Sequence, residues 1–483
     1  MEDRRTSRRS PFSILNSQFL ILSSSFFIPL AVYLATMAPS FTWAHWGADG
    51  GDFVAAAFGS QVPHPPGFPV YLVLARICAV VLWGDPAWRL HVLSALMAAG
   101  AAMLVAATLR RKGVARWLTL TSAWTLAFAP LFWSQALITE VYTTAACFVA
   151  LALFWRESPK GEGDLNNFLV GLAAGLSMAV HLTTVLLTPA WLRPRRSSAP
   201  SSGPSWQRWA LWLGGGALGL SAYAWLPWLG PGPQPWGDLH TLAGWWEFVS
   251  ARLYHGYAFG LPLAAWPERV LAWAALMARQ FTPLGALVIL WGWDARRKAD
   301  RGDALALAGA LALLSAYAIA YDTPDSLVYL APAFPILALL LGEGLQRAWS
   351  DLKMLRRVPA WLALLLPALL LVGFWGALDV RQDDEVAIWL EEALAQTPPD
   401  AVLVVDQDNH TFALWGAQAA LDRRPDVLVV NRSLWGRASY RRFLANRMAP
   451  GDALPALPSE LTEWAPDRPV CYWEEAEEEV QCP

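Results

Sequence analysis

The sequence predicts a mainly α, polytopic membrane protein that carries a small α/β soluble domain at its C-terminal end. Three observations carry that expectation. Hydrophobic residues make up 55% of the 483-residue chain and charged residues only 16%, against roughly a quarter charged in a soluble domain. Apolar runs of about 20 residues, the length of one bilayer crossing, recur as far as residue 378. Beyond residue 379 the runs give way to short β-branched stretches between amphipathic and acidic segments. The net charge of −3 gives no reason to expect a nucleic-acid partner. The 29 Trp residues suit the membrane interface, where one ring edge is wet and the other apolar.

Basic residues stay on the cytoplasmic side of a membrane, so Arg4, Arg5, Arg8 and Arg9 place the N-terminus inside. Phe12 to Met37 reads as an uncleaved first span, and residues 39–68 as an outer loop with an amphipathic stretch from Gly51 to Gly59. Gly67–Trp83 is short. If it spanned, Arg110, Arg111, Lys112 and Arg116 would lie outside, so it is expected to re-enter the outer leaflet. Trp88–Leu109, Trp117–Gln135 and Leu137–Trp155 then cross in turn. Leu165–Val180 and Thr183–Leu192 are too short to span singly and share a hinge at His181. Arg193, Arg195 and Arg196 follow on the inside. Trp209–Trp228 leads to a second outer loop, 229–267. Glu268–Trp293, Ala304–Tyr321, Leu327–Leu345 and Pro359–Leu378 complete about eleven crossings or half-crossings over residues 1–378, with Arg296, Arg297, Lys298 and Arg301 in an inner loop.

Residues 379–483 form the predicted non-cytoplasmic domain. Asp384–Ala395 and Phe412–Leu421 read as helices, Ala401–Asp406 and Asp426–Asn431 as strands. Glu474 to Glu479 reads as a solvated acidic run without fixed structure. Outside the cytoplasm, Cys471 and Cys482 can form a disulfide or remain thiols. No metal-ligand spacing appears, so no divalent cation is required by the sequence.

This topology collects Asp49, Asp52, His64, Arg89, Glu140, His181, Asp238, His240, Arg252, Tyr254, His255, Asp322 and Asp325 on the outer face. Ionisable groups at membrane depth are costly and mark functional sites. Asp49 and Asp52 are spaced to share a helix face, where one carboxylate can be poised as a base; equally, Asp49 can cap the helix and Asp52 occupy its first turn. His64-Pro65-Pro66-Gly67 is a rigid turn, Glu140 stands at a helix start, and Arg252, Tyr254 and His255 can meet an anionic phosphate or simply be solvated.

Asp49-Gly-Gly-Asp52-Phe with His64-Pro-Pro-Gly67-Phe-Pro-Val-Tyr71 resembles the opening signature of a membrane glycosyltransferase family long labelled domain of unknown function 2723. That family includes a vertebrate O-mannosyltransferase of plexin-type receptor domains. The resemblance continues through Phe132-Trp-Ser134, Glu140-Val-Tyr142, Gly175 to His181, Leu226-Pro227, Trp236-Gly237-Asp238, Asp325 with Tyr329 and Pro332, and Arg424-Pro-Asp426. It implies a GT-C-like architecture, a polyprenyl-phosphate sugar (mannose) as donor, and a protein or glycan acceptor. The implied roles are catalytic for Asp49, Asp52 and Glu140, and donor or phosphate binding for His64, Arg89, His181, Arg252, Tyr254 and His255. Trp236, Asp238, Asp322 and Asp325 would serve the acceptor or the loop motif. The chain departs from the family where an Arg often follows Leu-Pro, and Arg89, Arg252 or Arg269 would have to replace it. The rival readings are a lipid-carrier flippase, which needs polar residues at the bilayer midplane, and a non-catalytic scaffold, which tolerates loss of Asp49, Glu140 and His181. The location these features imply is the cell inner membrane, with the C-terminal domain periplasmic.

Overall fold

The computed structural model describes residues 11–158, 163–192, 205–448 and 468–482. The expected inner cations Arg4, Arg5, Arg8, Arg9, Arg193, Arg195 and Arg196 lie outside the described residues. Helix α1 (Pro11–Thr36) is followed by a 3-10 segment (Ala44–Asp49), α2 (Gly50–Phe58) and the short α3 (Pro69–Val81). Helix α4 (Pro86–Arg111) starts on a full cap, Asp85 accepting from the amides of Ala87 and Trp88.

Proline then sets the breaks. Helix α5 (Arg116–Ala127) stops before Pro130, which starts the one-turn α6 (Pro130–Ser134). An irregular stretch follows, carrying Glu140 into α7 (Tyr142–Arg156). Helix α8 (Gly163–Val180) ends at extended His181, and a 3-10 turn (Leu182–Leu187) and α9 (Thr188–Trp191) finish the broken hairpin. Helix α10 (Ser205–Leu220) crosses α8 at backbone contact, because a Cβ on Gly171 would stand 2.0 Å from the Trp212 carbonyl oxygen. After α11 (Leu226–Leu229) and α12 (Leu242–Val249), α13 (Trp266–Ala299) kinks at Thr282-Pro283. Helices α14 (Arg301–Ala320), α15 (Phe334–Asp351) and α16 (Leu365–Leu378) close the bundle.

Among the described residues, six helical stretches are long and apolar enough to cross a membrane, and residues 69–81, 142–156, 165–180 and 182–191 are shorter apolar helices. The protein is therefore an integral membrane protein with broken helices between complete ones.

The C-terminal part is an α/β unit of α17 (Glu385–Gln396), β1 (Val402–Val405), α18 (Asp408–Leu421), β2 (Leu428–Asn431), α19 (Ala438–Met448), β3 (Val470–Glu474) and β4 (Glu479–Gln481). Sheet order is β2-β1-β3-β4, with β1 parallel to both neighbours and β3–β4 antiparallel. The acidic run 474–479 is not structureless: it is the turn of the β3–β4 hairpin, and the Cys471–Cys482 disulfide ties the two strands. The unit packs onto the membrane part through Trp43, whose ring meets those of Trp389 and His410, and through the Val380 amide, which donates to the Thr36 carbonyl.

The end of the bundle away from this domain holds a second correction. Lys112 and Arg296, expected in inner basic loops, are buried with Arg156, Glu157, Asp303 and Glu343, no side chain more than 14% exposed. Lys112 stands 2.5 Å from Glu157 and 2.7 Å from Glu343. Arg296 pairs with Glu157 at 2.8 Å, Asp303 at 3.0 Å and Glu343 at 2.5 Å, while Arg156 pairs with Glu157 and Asp303. Acids therefore gather at both ends of the bundle. Removing one partner strands its buried counter-charges, which costs about 3–5 kcal/mol. Glu157→Ala is expected to lower the thermal unfolding midpoint of the detergent-purified protein sharply, as read by tryptophan fluorescence, whereas Asp294→Ala, in an exposed pair with Arg297 and Lys298, is expected to leave it nearly unchanged.

Candidate active site

Asp49 occupies the N-cap position of α2, but its side chain makes no capping hydrogen bond. That leaves the carboxylate free to face a cavity of about 610 Å³ between the broken helices and the C-terminal domain. Asp52, one turn on, is fully buried and does not line the cavity. Its Oδ2 accepts from the His64 backbone amide at 2.7 Å and sits 2.9 Å from His64 Nδ1. His64 Nε2 in turn lies 3.6 Å from Asp49 Oδ2. The turn at 64–67, closed by the Gly67 amide on the His64 carbonyl, holds the imidazole there. Gly67 has φ +88° and leaves no room for a side chain, since a Cβ would stand 2.7 Å from the Phe248 ring.

Electrostatics follow from this arrangement. Burial raises the Asp49 carboxyl; His64 opposes the rise and Asp52, Asp325 and Asp408 add to it, bringing Asp49 to about 6. The Asp49 side chain is 41% exposed, and its exposure opens onto the cavity. Burial disfavours the His64 imidazolium, but Asp49, Asp52 and Asp408 outweigh it and raise His64 to about 9. At neutral pH Asp49 is therefore a carboxylate and His64 an imidazolium, with Asp52 against the far side of the ring. Burial and then the Asp49 charge raise the Glu140 carboxyl well above the usual carboxylate range, against one hydrogen bond from the Val141 amide.

The cavity brings together Asp49, His64, Glu140, His181, Tyr254, His255 and Asp325 from the sequence expectations. His181 stands among the rings of Phe68, Tyr142 and Tyr329 at 5.9, 5.2 and 5.4 Å, with Nδ1 2.6 Å from Thr183 Oγ1. Arg269 steadies the Asp325 turn by donating to the Thr323 carbonyl at 3.0 Å and to Ser326 Oγ at 3.2 Å.

Other expected residues lie elsewhere. Arg89 spends its guanidinium on the carbonyls of Ala79 and Gly84, pinning the α3–α4 turn. Arg252 pairs with Glu247 at 2.6 Å, 69% exposed, beside a neighbouring hollow of about 380 Å³. Trp236 and Asp238 line that hollow as well; Trp236 backs the His64 ring at 6.2 Å, and Asp238 accepts from the His240 amide in a turn. Asp322 is exposed, its amide bonded to the Tyr257 carbonyl. No Lys or Arg lines the cavity among the described residues, and no group of three or more His, Cys, Asp or Glu among them is arranged to hold a metal ion.

Sequence reasoning missed Tyr257, Tyr317, Tyr321, Asp408 and Phe412 of the lining. A signal existed for three of them. Tyr317 and Tyr321 are spaced i, i+4 at the α14 end, just before Asp325. Asp408 follows a buried parallel strand at its C-terminal end, where α/β units place functional groups. An opposite charge this close favours the charged form by about 1–3 pH units. Asp52→Asn, which removes the charge and keeps the shape, is expected to lower the His64 midpoint from about 9 by roughly that amount, read by NMR of imidazole-labelled protein.

Residues 49–193 match the model of the family described as the Protein O-mannosyl-transferase TMEM260 N-terminal domain, a stretch that begins at Asp49 and contains His64, Glu140 and His181. The mouse Protein O-mannosyl-transferase TMEM260 is 23% identical over 444 residues, covering 84% of this chain. The Dictyostelium discoideum Protein O-mannosyl-transferase tmem260 is 27% identical over 147 residues, covering 30% of this chain. The matches span 63% of the mouse protein and 18% of the Dictyostelium protein. Among solved structures, ArnT from Cupriavidus metallidurans bound to undecaprenyl phosphate superposes with a TM-score of 0.55 at 12% identity, over 89% of this chain and 92% of that one. The same ArnT in its apo state gives 0.50, over 88% and 92%. At these identities the likeness is one of fold, and the chain has the GT-C-like architecture that its motifs implied.

Proposed function

We propose that this protein is an integral membrane glycosyltransferase that moves a sugar, mannose in our reading, from a polyprenyl-phosphate carrier to a hydroxyl of a protein or glycan acceptor. The observation that carries the reading is the uncapped Asp49 carboxylate, backed by the His64–Asp52 pair and facing a large cavity at the end of broken membrane helices. Support also comes from the relatives named as protein O-mannosyl-transferases and from a fold neighbour solved with undecaprenyl phosphate.

In this mechanism Asp49 takes the proton of the acceptor hydroxyl as its oxygen attacks the sugar C1, and the C1–O bond to the lipid phosphate breaks with inversion. The His64 imidazolium keeps Asp49 ionised, and Asp52 fixes His64; Asp52 is therefore a positioning residue, since it does not reach the cavity. The leaving phosphate lies toward His181, Tyr142 and Tyr329, where neutral donors take the place of an arginine. Glu140, held protonated, donates a hydrogen bond at the reacting centre. The lipid chain runs past Val185, 50% exposed on the broken hairpin. The proposed setting is the cell inner membrane, with the N-terminus cytoplasmic and the C-terminal domain periplasmic; the Cys471–Cys482 disulfide fits an oxidising compartment.

Asp49→Asn is expected to cut transfer from radiolabelled polyprenyl-phosphate mannose to a membrane-extract acceptor by about 10²–10⁴-fold while leaving donor binding in place; retained turnover would remove Asp49 as the base. For the wild type, kcat/KM is expected to rise through about pH 6 as Asp49 ionises and to fall through about pH 9 as His64 loses its proton.

A further inference from the structure

We propose that Asp408 and Phe412 form the carbohydrate subsite of the cavity, so that the C-terminal domain selects the sugar on which the membrane part acts. The inference rests on the transferase reading above and goes beyond it to the part of the chain that recognises the donor's ring.

Asp408 and Phe412 are one turn apart on α18, so they share a helix face, and both line the cavity that holds Asp49. Asp408 is held from behind. Its Oδ1 accepts from Asn431 Nδ2 at 3.0 Å, and the same Nδ2 reaches Thr411 Oγ1 at 2.8 Å. Asn431 is fully buried, and its own Oδ1 accepts from the Leu434 amide and the Ser433 hydroxyl. The orientation of Asp408 is thus fixed through one oxygen, and its Oδ2 carries no hydrogen bond among the described residues. Phe412 lies nearly parallel to the His64 ring, with centroids 6.3 Å apart and 11° between planes.

The frame is rigid where it meets the catalytic helix. A Cβ on Gly51 would stand 2.3 Å from the Phe412 carbonyl group, so α18 and α2 touch backbone to backbone between Asp49 and Asp52. The domain therefore cannot drift relative to Asp49 without opening that contact.

Chemistry assigns the occupant. A sugar offers hydroxyl donors around its rim and an apolar C–H face. An anchored carboxylate with a free oxygen takes hydroxyl hydrogens as charge-assisted bonds, and an aromatic ring covers the apolar face. At this end the His64 ring is already flanked by Asp49 and Asp52, so the phosphate is placed at the His181 end, beside the exposed apolar Val185 that would meet the lipid chain. That polarity places the sugar between the phosphate and α18.

The test compares two lipids on the purified full chain. Wild type, Asp408→Asn and Phe412→Leu are titrated with polyprenyl-phosphate mannose and with bare polyprenyl phosphate. Wild type is expected to prefer the sugar-bearing lipid. Asp408→Asn is expected to lose about 10–100-fold in affinity for that lipid, the worth of a hydrogen bond to a charged group, Phe412→Leu about five- to tenfold, the worth of an aromatic face contact, and both are expected to stay within about twofold for the bare one. The bare-lipid arm shows that the fold and the phosphate end are intact. Equal losses on both lipids, or no loss on either, in both variants would overturn the subsite. Absence of transfer to any acceptor would count against the transferase reading, while the binding ratio still decides the role of Asp408 and Phe412.

Discussion

Three cations converge on Glu157, a carboxylate with no solvent-exposed side-chain surface, and the rest of the bundle is arranged around that convergence. Lys112 arrives from the end of α4, Arg156 from α7 and Arg296 from α13, while Asp303 of α14 and Glu343 of α15 complete the neutralisation. A buried charge without partners costs several kcal/mol, so these helices meet in one register or not at all. Tyr142 begins the same α7 that Arg156 ends, and Tyr321 follows the α14 whose first turn holds Asp303. At 1.5 Å per residue, the α7 walls of the cavity and the ion cluster are roughly 20 Å apart along a single rigid rod. The cluster fixes the far ends, and the cavity inherits its width from them.

The cavity end is built on the opposite principle. There the helices break, at Pro130, at His181 and at Leu226-Pro227, and the irregular backbone around Glu140 and His181 lines the cavity instead of meeting lipid. Breaks bring Glu140 and His181 in from the membrane side, while the 39–68 segment brings Asp49 and His64 from above. The imidazolium in this hollow is the cation that the lining otherwise lacks, and Asp49 and Asp52 flank it. Positive charge here arises locally by pairing, without a solvated arginine reaching in.

Legibility in the sequence followed the range of the interactions. Short-range features could be read directly: the apolar runs, the rigid His64 to Gly67 turn, the hinge at His181, and the strand–helix–strand order of the C-terminal unit. Features that depend on distant partners could not. Arg89 looks like a free cation until the Ala79 and Gly84 carbonyls are seen around it. Glu157, Asp303 and Glu343 are unremarkable acids in sequence, and only the packing of five helices makes them one cluster. The 474–479 run reads as solvated because its charges hide a hairpin tied by Cys471 and Cys482. Asp52 reads as a partner of Asp49, but it is placed beneath His64, which stands between the two carboxyl groups.

The backbone contact between Gly51 and Phe412 has a consequence for how the protein is made. Asp49 leaves the ribosome about 360 residues before Asp408, so the two walls of the cavity are separated in time as well as in sequence. A nascent chain whose membrane helices are already inserted still lacks the wall that Asp408 and Phe412 give the cavity. That wall is in place only when α18 settles on α2. Biosynthesis therefore delivers the Asp49 carboxylate first and the facing wall last, and an unfinished chain holds only part of the cavity.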